Sequence, residues 1–212
     1  MTRLLILGFR ESEKHKIKMA ARKLCFIGFY FSLARYDHNG TLDPTFGISG
    51  KVTTDLGGLD TAHAIDIQGD GKILVSGHTV VCCHQDAFAL ARYNVDGTLD
   101  STFGTGGKVI TDFNNGSSDS YPAIAIQADG KIVLVGTSNI INVGRVFAVT
   151  RYNPDGTLDL AFGTSGKVLT DFGSSCFAHA IAIQIDGNII AAGVTGPNPS
   201  PSGDFALARY LP

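Results

Sequence analysis

Residues 151–166 read RYNPDGTLDLAFGTSG, and this run is one of three near-copies. Residues 92–107 read RYNVDGTLDSTFGTGG, residues 35–50 read RYDHNGTLDPTFGISG, and Arg209-Tyr210 opens the motif once more. The leading arginines stand 57, 59 and 58 residues apart. A fixed period in this range means one supersecondary unit repeated in space, each copy covering the apolar face of the next. That constraint outweighs everything else in the chain.

Each period carries four strand-like runs. They are FALARY (88–93), KVITDF (108–113), AIAIQ (123–127) and KIVLVG (131–136), with their copies one period away. All are rich in β-branched or aromatic residues and are bounded by Gly, Asp or Asn. The first and third are apolar at both odd and even positions, as in strands covered on both faces. Four such strands repeated about every 58 residues predict an all-β fold, a β-propeller of four-stranded blades. The Asp-Gly pairs in QGDGK (68–72), QADGK (127–131) and QIDGN (184–188) predict tight hairpins of type I′.

The full repeats fall at about 31–86, 87–145 and 146–203, with a closing strand at 204–212. Residues 23–28 resemble 72–77 and 131–136, so 23–30 read as the last strand of a worn blade, while 1–22 match the repeat poorly. Pairing of residues 205–210 with 23–28 and with whatever 1–22 supply would close a ring of four blades. An incomplete ring would instead leave sticky strand edges and invite self-association.

The chain has 212 residues, 44% of them hydrophobic and 17% charged, which suits a packed domain rather than a disordered tail. A net charge of −2 gives no basic excess to grip phosphates, so nucleic acid is not an expected partner. No run reaches the roughly 18 apolar residues of a membrane span. Residues 20–34 have the look of a targeting segment, but FSLARY at 31–36 matches FALARY at 88–93, and the template match assigns them to the fold.

With RYNxDGxLDxxFGxxGK and AIAIQxDGKI recurring in order, the chain resembles the bacterial delta-60 repeat family over about residues 24–210. The resemblance implies a β-propeller of unassigned function and a secreted or surface setting. It supplies no catalytic residues.

Asp37, Asn39 and Asp43, then Asn94, Asp96 and Asp100, then Asn153, Asp155 and Asp159 place oxygens around a glycine at a spacing that calcium loops also use. The same residues make ordinary turns by bonding their own backbone, and that reading explains every one of them. No other cofactor is expected. FGTGGK (103–108) lacks the length and the following helix of a phosphate loop. His78, Cys82, Cys83 and His84 are soft ligands in one inter-strand loop, with irregular spacing for a metal. His63 and His179 hold the same position in two repeats, with Pro122 between them in the series, and no nucleophile or paired carboxylate accompanies them. Arg35, Arg92, Arg151 and Arg209 each precede a tyrosine. Once buried they need partners, for which Asp112 and Asp171 are the sequence candidates.

In a four-strand meander, alternate connections share a face. NxDGTLDxxFGxxG and QxDG, nearly invariant, fall on one face, whereas 57–62, 80–86, 114–121, 138–145 and 196–203 vary and fall on the other. Binding residues usually sit on variable loops over a rigid scaffold. The expected binding set is therefore Asn114, Asn115, Ser118, Asp119 and Tyr121, with His63 and His179 on the same rim. The expected function is a non-catalytic scaffold for a protein, glycan or surface partner. An enzyme of hydrolase or lyase type, or a calcium-stabilised structural repeat, are the alternatives.

Overall fold

The computed structural model describes residues 15–19, 22–23, 29–81, 85–113, 120–197 and 203–212. Every regular element among them is a strand. In chain order they are β1 (His15–Met19), β2 (Arg22–Lys23), β3 (Phe29–Asp37), β4 (Lys51–Thr54), β5 (Leu59–Ile67), β6 (Ile73–Val81), β7 (Gln85–Tyr93) and β8 (Lys108–Thr111). They continue as β9 (Ser120–Ile126), β10 (Ile132–Ile140), β11 (Gly144–Tyr152), β12 (Lys167–Thr170), β13 (Cys176–Ile183), β14 (Ile189–Thr195) and β15 (Asp204–Tyr210). No helix among these residues is long and apolar enough to cross a membrane.

The strands form four antiparallel sheets among the described residues. The second and third sheets are complete meanders, β5-β6-β7-β8 and β9-β10-β11-β12, and the fourth is the three-stranded β13-β14-β15. The hydrogen-bonded unit is thus offset from the sequence period. Each complete sheet takes AIAIQ- and KIVLVG-type strands from one period and FALARY- and KVITDF-type strands from the next. In the first sheet β3 is flanked by β4 on one side and by β1 and β2 on the other. The pairs His15↔Asp37 and Lys23↔Phe29 belong to one continuous register, so β1 and β2 are two parts of a single strand position. Lys23, the first residue of the strand expected at 23–28, pairs with Phe29 in the first sheet. Residues 24–28 lie outside the described set.

Alternation along the strands explains why both faces are covered. Ile73, Val75, Ala89 and Ala91 pack with Phe31 and Leu33 of the first sheet. Their neighbours Leu74, Phe88 and Leu90 point the other way and pack with Ile132, Leu134 and Ala148 of the third. One sheet thus feeds two cores, which is the signature of stacked blades. The leading strands β5, β9 and β13 approach one another in turn, as inner strands do when blades converge on an axis. Tyrosine hydroxyls tie adjacent sheets at equivalent points: Tyr93 to Thr54 at 2.8 Å, Tyr152 to Thr111 at 2.7 Å, and Tyr210 to Thr170 at 2.8 Å.

The QxDG hairpins differ from the expected type. Gly71, Gly130 and Gly187 have φ between 84° and 86°, while Asp70, Asp129 and Asp186 are not among the positive-φ residues. The bond from Gly71 N–H to the Gln68 carbonyl, 2.9 Å, closes a type I turn, and the glycine that follows adopts the left-handed conformation. The type I′ expectation fails because a three-residue loop needs only one left-handed position.

Candidate binding face and the clasp beneath it

The recurrent turn is a clasp between sheets. After β7 the chain doubles back, and the Asp100 amide donates to the Arg92 carbonyl at 2.9 Å. This return places the carboxylate against the guanidinium: Arg92 Nε donates to Asp100 Oδ2 at 2.8 Å, and both side chains are buried. Arg35–Asp43 at 2.9 Å and Arg151–Asp159 at 2.8 Å repeat it. The arginines are therefore paired, as a buried charge requires. Their partners are the aspartates eight residues downstream, which the returning turn delivers, and not Asp112 or Asp171. Each guanidinium also lies over the phenylalanine of the same motif, at 4.6, 4.4 and 4.5 Å for Phe46, Phe103 and Phe162.

The same arginine reaches the next sheet. Arg92 Nη1 donates to the Pro154 carbonyl at 2.6 Å, and Arg35 Nη1 to that of Val95. Gly47 N–H donates to the Asp96 carbonyl at 2.7 Å and Gly104 N–H to that of Asp155 at 2.8 Å. In the run weighed against a phosphate loop, Gly104 thus spends its amide on a neighbouring turn and Gly107 donates to the Phe103 carbonyl of its own turn at 2.8 Å. Gly104 has φ of 51°, and a Cβ there would lie 2.4 Å from the Lys108 carbonyl oxygen. Gly104→Ala is expected to destabilise the protein by roughly 3 kcal/mol, combining left-handed strain and overpacking. A denaturant midpoint unchanged from wild type would show that the turn is not under this constraint.

The six aspartates among the nine calcium candidates accept hydrogen bonds from their own turns or clasps. Asp37 Oδ1 accepts from the amides of Asn39 and Thr41, both at 2.9 Å. Asp96 and Asp155 accept from Thr98 and Thr157. Asn94 and Asn153 donate to the same threonines at 3.0 Å. The Thr45 hydroxyl and amide, with Arg35, hold the Asp43 carboxyl below its usual range. The Thr102 hydroxyl and Lys72 hold Asp100 lower still. Burial opposes ionisation of Asp159, but Lys131, the Ala161 amide and Arg151 outweigh it. No group of three or more His, Cys, Asp or Glu side chains is placed to hold a metal among the described residues.

The opposite face carries a different arrangement. Two leading strands carry an equivalent bulge, between Ala62 and Ala64 in β5 and between Ala178 and Ala180 in β13. His63 and His179 are the bulged residues. In β9 the register shifts across Tyr121 and Pro122. The bulge turns His63 onto β6, where its Nε2 meets Nδ1 of His78 at 2.8 Å with the rings stacked 4.9 Å apart. Tyr121, from the next sheet, packs its ring 4.9 Å from His63. It is 56% exposed and holds φ of 59°, an outlier for an aromatic residue. Burial, reinforced by His78, lowers the His63 pKa to about 4. Burial also lowers His78, which Asp86 partly opposes.

Of the residues expected to bind, Tyr121 and His63 come together. His179 lies apart, exposed and stacked on Phe177. Asn114, Asn115, Ser118 and Asp119 lie outside the described residues, as do Cys82, Cys83 and His84. His78 belongs with His63 instead of standing as a loop ligand. Sequence spacing gives no sign of this, because the contact depends on β5–β6 register and the bulge. Asp60 was also missed. It is buried against Thr79 and the Leu56 amide, and burial raises its pKa.

Meander sheets stacked through alternate-face cores define a β-propeller repeat protein. Within that class, residues 29–46, 68–103 and 127–162 match a family model described as a domain of unknown function (DUF5122) beta-propeller. No curated protein matches the chain.

Proposed function

We propose that the protein is a non-catalytic scaffold of the delta-60 repeat type, which meets a protein, glycan or surface partner on the variable face. The observation that supports this most is Tyr121: a half-exposed ring, in a strained backbone conformation, packed against buried His63 and close to its partner His78. Strain of this kind persists where the surroundings over-determine it, and it concentrates at functional sites. An exposed aromatic held rigidly offers contact area at little entropic cost. The two imidazoles bond to each other rather than to a nucleophile and an orienting carboxylate, so the arrangement favours binding over catalysis.

The test is a screen of the full chain against glycan and peptide arrays, repeated with Tyr121→Ala and with residues 114–119 replaced by a Gly-Ser linker. Binding is expected to fall at least tenfold in both variants while the melting temperature stays within a few degrees of wild type. Binding that survives both changes, or that maps to the Asp-Gly turns, would sink the proposal.

A further inference from the structure

The bond between His63 and His78 joins Nε2 of the first ring to Nδ1 of the second at 2.8 Å. The remaining nitrogens, His63 Nδ1 and His78 Nε2, take no hydrogen bond from the described residues. A neutral imidazole has one donor and one acceptor nitrogen. Whichever ring donates to the other, the pair keeps one N–H and one lone pair unused, and a proton shift along the pair exchanges them. Burial holds both rings neutral at neutral pH. His63 is only 9% exposed, and a polar group so enclosed costs free energy while it lacks a partner. Tyr121 borders both rings, its centroid 4.9 Å from that of His63 and 6.4 Å from that of His78. Three strands of two adjacent sheets, β5, β6 and β9, thus bring together a half-exposed aromatic ring and two uncharged polar ends.

We propose that the partner met at Tyr121 is a neutral glycan, one sugar ring lying on the tyrosine ring while its hydroxyls bond the free nitrogens of His63 and His78. This names the partner class within the binding role proposed above and rests on that reading. A hydroxyl both donates and accepts, so sugar hydroxyls satisfy the two ends of the pair in either tautomer. A carboxylate or a phosphate only accepts. It would use one end alone, and the negative charge of Asp86, which already acts on His78, would oppose it. A protein partner needs about 800 Å² on each side for a stable interface, far more than one ring and two nitrogens provide. A sugar ring matches the tyrosine ring in size and offers an apolar C–H face beside its hydroxyls, the combination that an aromatic wall with a few placed polar groups selects.

Magnetic resonance on the full chain with isotope-labelled histidine and tyrosine tests this. The probes are methyl glycosides of neutral hexoses, the corresponding hexuronic acids, and a panel of short peptides. A neutral glycoside is expected to bind with a dissociation constant on the order of 1 mM, as for a ligand of its size. It should shift the Tyr121 ring signals together with the nitrogen resonances of His63 Nδ1 and His78 Nε2, because a hydroxyl at either end fixes the tautomer. Tyr121→Ala and His78→Phe are each expected to weaken binding about tenfold, the loss of one aromatic or one hydrogen-bond contact. The second variant keeps a ring in the site and carries the test if the first does not fold. A glycoside that binds wild type and His78→Phe equally, or a hexuronic acid that binds more tightly than its neutral counterpart, would overturn the glycan assignment. A peptide that reaches Tyr121 when no glycoside does would also overturn it and leave the scaffold reading standing. Silence of Tyr121 and both histidines towards all three kinds of probe would end both readings.

Discussion

Asp100→Ala is expected to destabilise the protein by about 3–5 kcal/mol, the range for breaking a buried ion pair from one side. The carboxylate takes Arg92 Nε at 2.8 Å, Lys72 Nζ at 2.9 Å, and the amide and hydroxyl of Thr102 at 3.1 and 2.7 Å. Its removal strands the Arg92 guanidinium in a site where that group is 8% exposed. The same guanidinium carries the bond to Pro154 in the next sheet, so the loss spreads across the interface. Equilibrium denaturation measures it as a lower midpoint. Asp100→Asn keeps the shape and the Thr102 contacts, and is expected to fall between the alanine variant and wild type.

Acid is expected to weaken the fold through His63 before it reaches the clasp carboxylates. Unfolded, the imidazole titrates near 6.5; folded, burial and His78 hold it at about 4. The folded state therefore refuses a proton that the unfolded chain accepts. Stability is full above pH 6.5, declines as pH falls, and levels off below about 4. At 1.36 kcal/mol per pKa unit the loss approaches about 3 kcal/mol. For a chain of this length that is roughly 6–12 °C in melting temperature. Asp60 works the other way, because burial raises its pKa and protonation relieves it. The readout is therefore the difference between wild type and His63→Gln, followed from pH 7 to pH 4. The wild-type melt should fall more steeply. Parallel curves would mean that the histidine pair does not titrate with the fold.

The period, the four strand types and their double coverage were legible in the sequence. Each follows from residue identities repeated in register. The phase of the repeat was not. Periodicity does not say which strand opens a sheet, and the sheets open on AIAIQ-type strands such as β5, not on FALARY. The partner of Arg92 was hidden for a related reason. Asp112 looks nearer to a strand-to-strand partner, yet the turn folds back so tightly that Asp100, eight residues on, arrives first. His63 and His78 stand fifteen residues apart on adjacent strands, and only the bulge at His63 brings the rings into contact. Bulges leave no mark in an alternating apolar pattern. Tyr121, expected in a variable loop, lies in β9, and neither its strain nor its contact with His63 leaves a mark in the sequence.

On the proposed reading the recurrent turn holds the architecture while the variable loops are free to serve binding. Denaturant unfolding of three proteins tests it: wild type, Asp100→Ala, and the chain with residues 114–119 replaced by a Gly-Ser linker. Asp100→Ala is expected to show a large fall in midpoint and the linker variant a stability within about 0.5 kcal/mol of wild type, as for a surface change. A linker variant that unfolds as readily as Asp100→Ala, or an Asp100→Ala protein as stable as wild type, would contradict it.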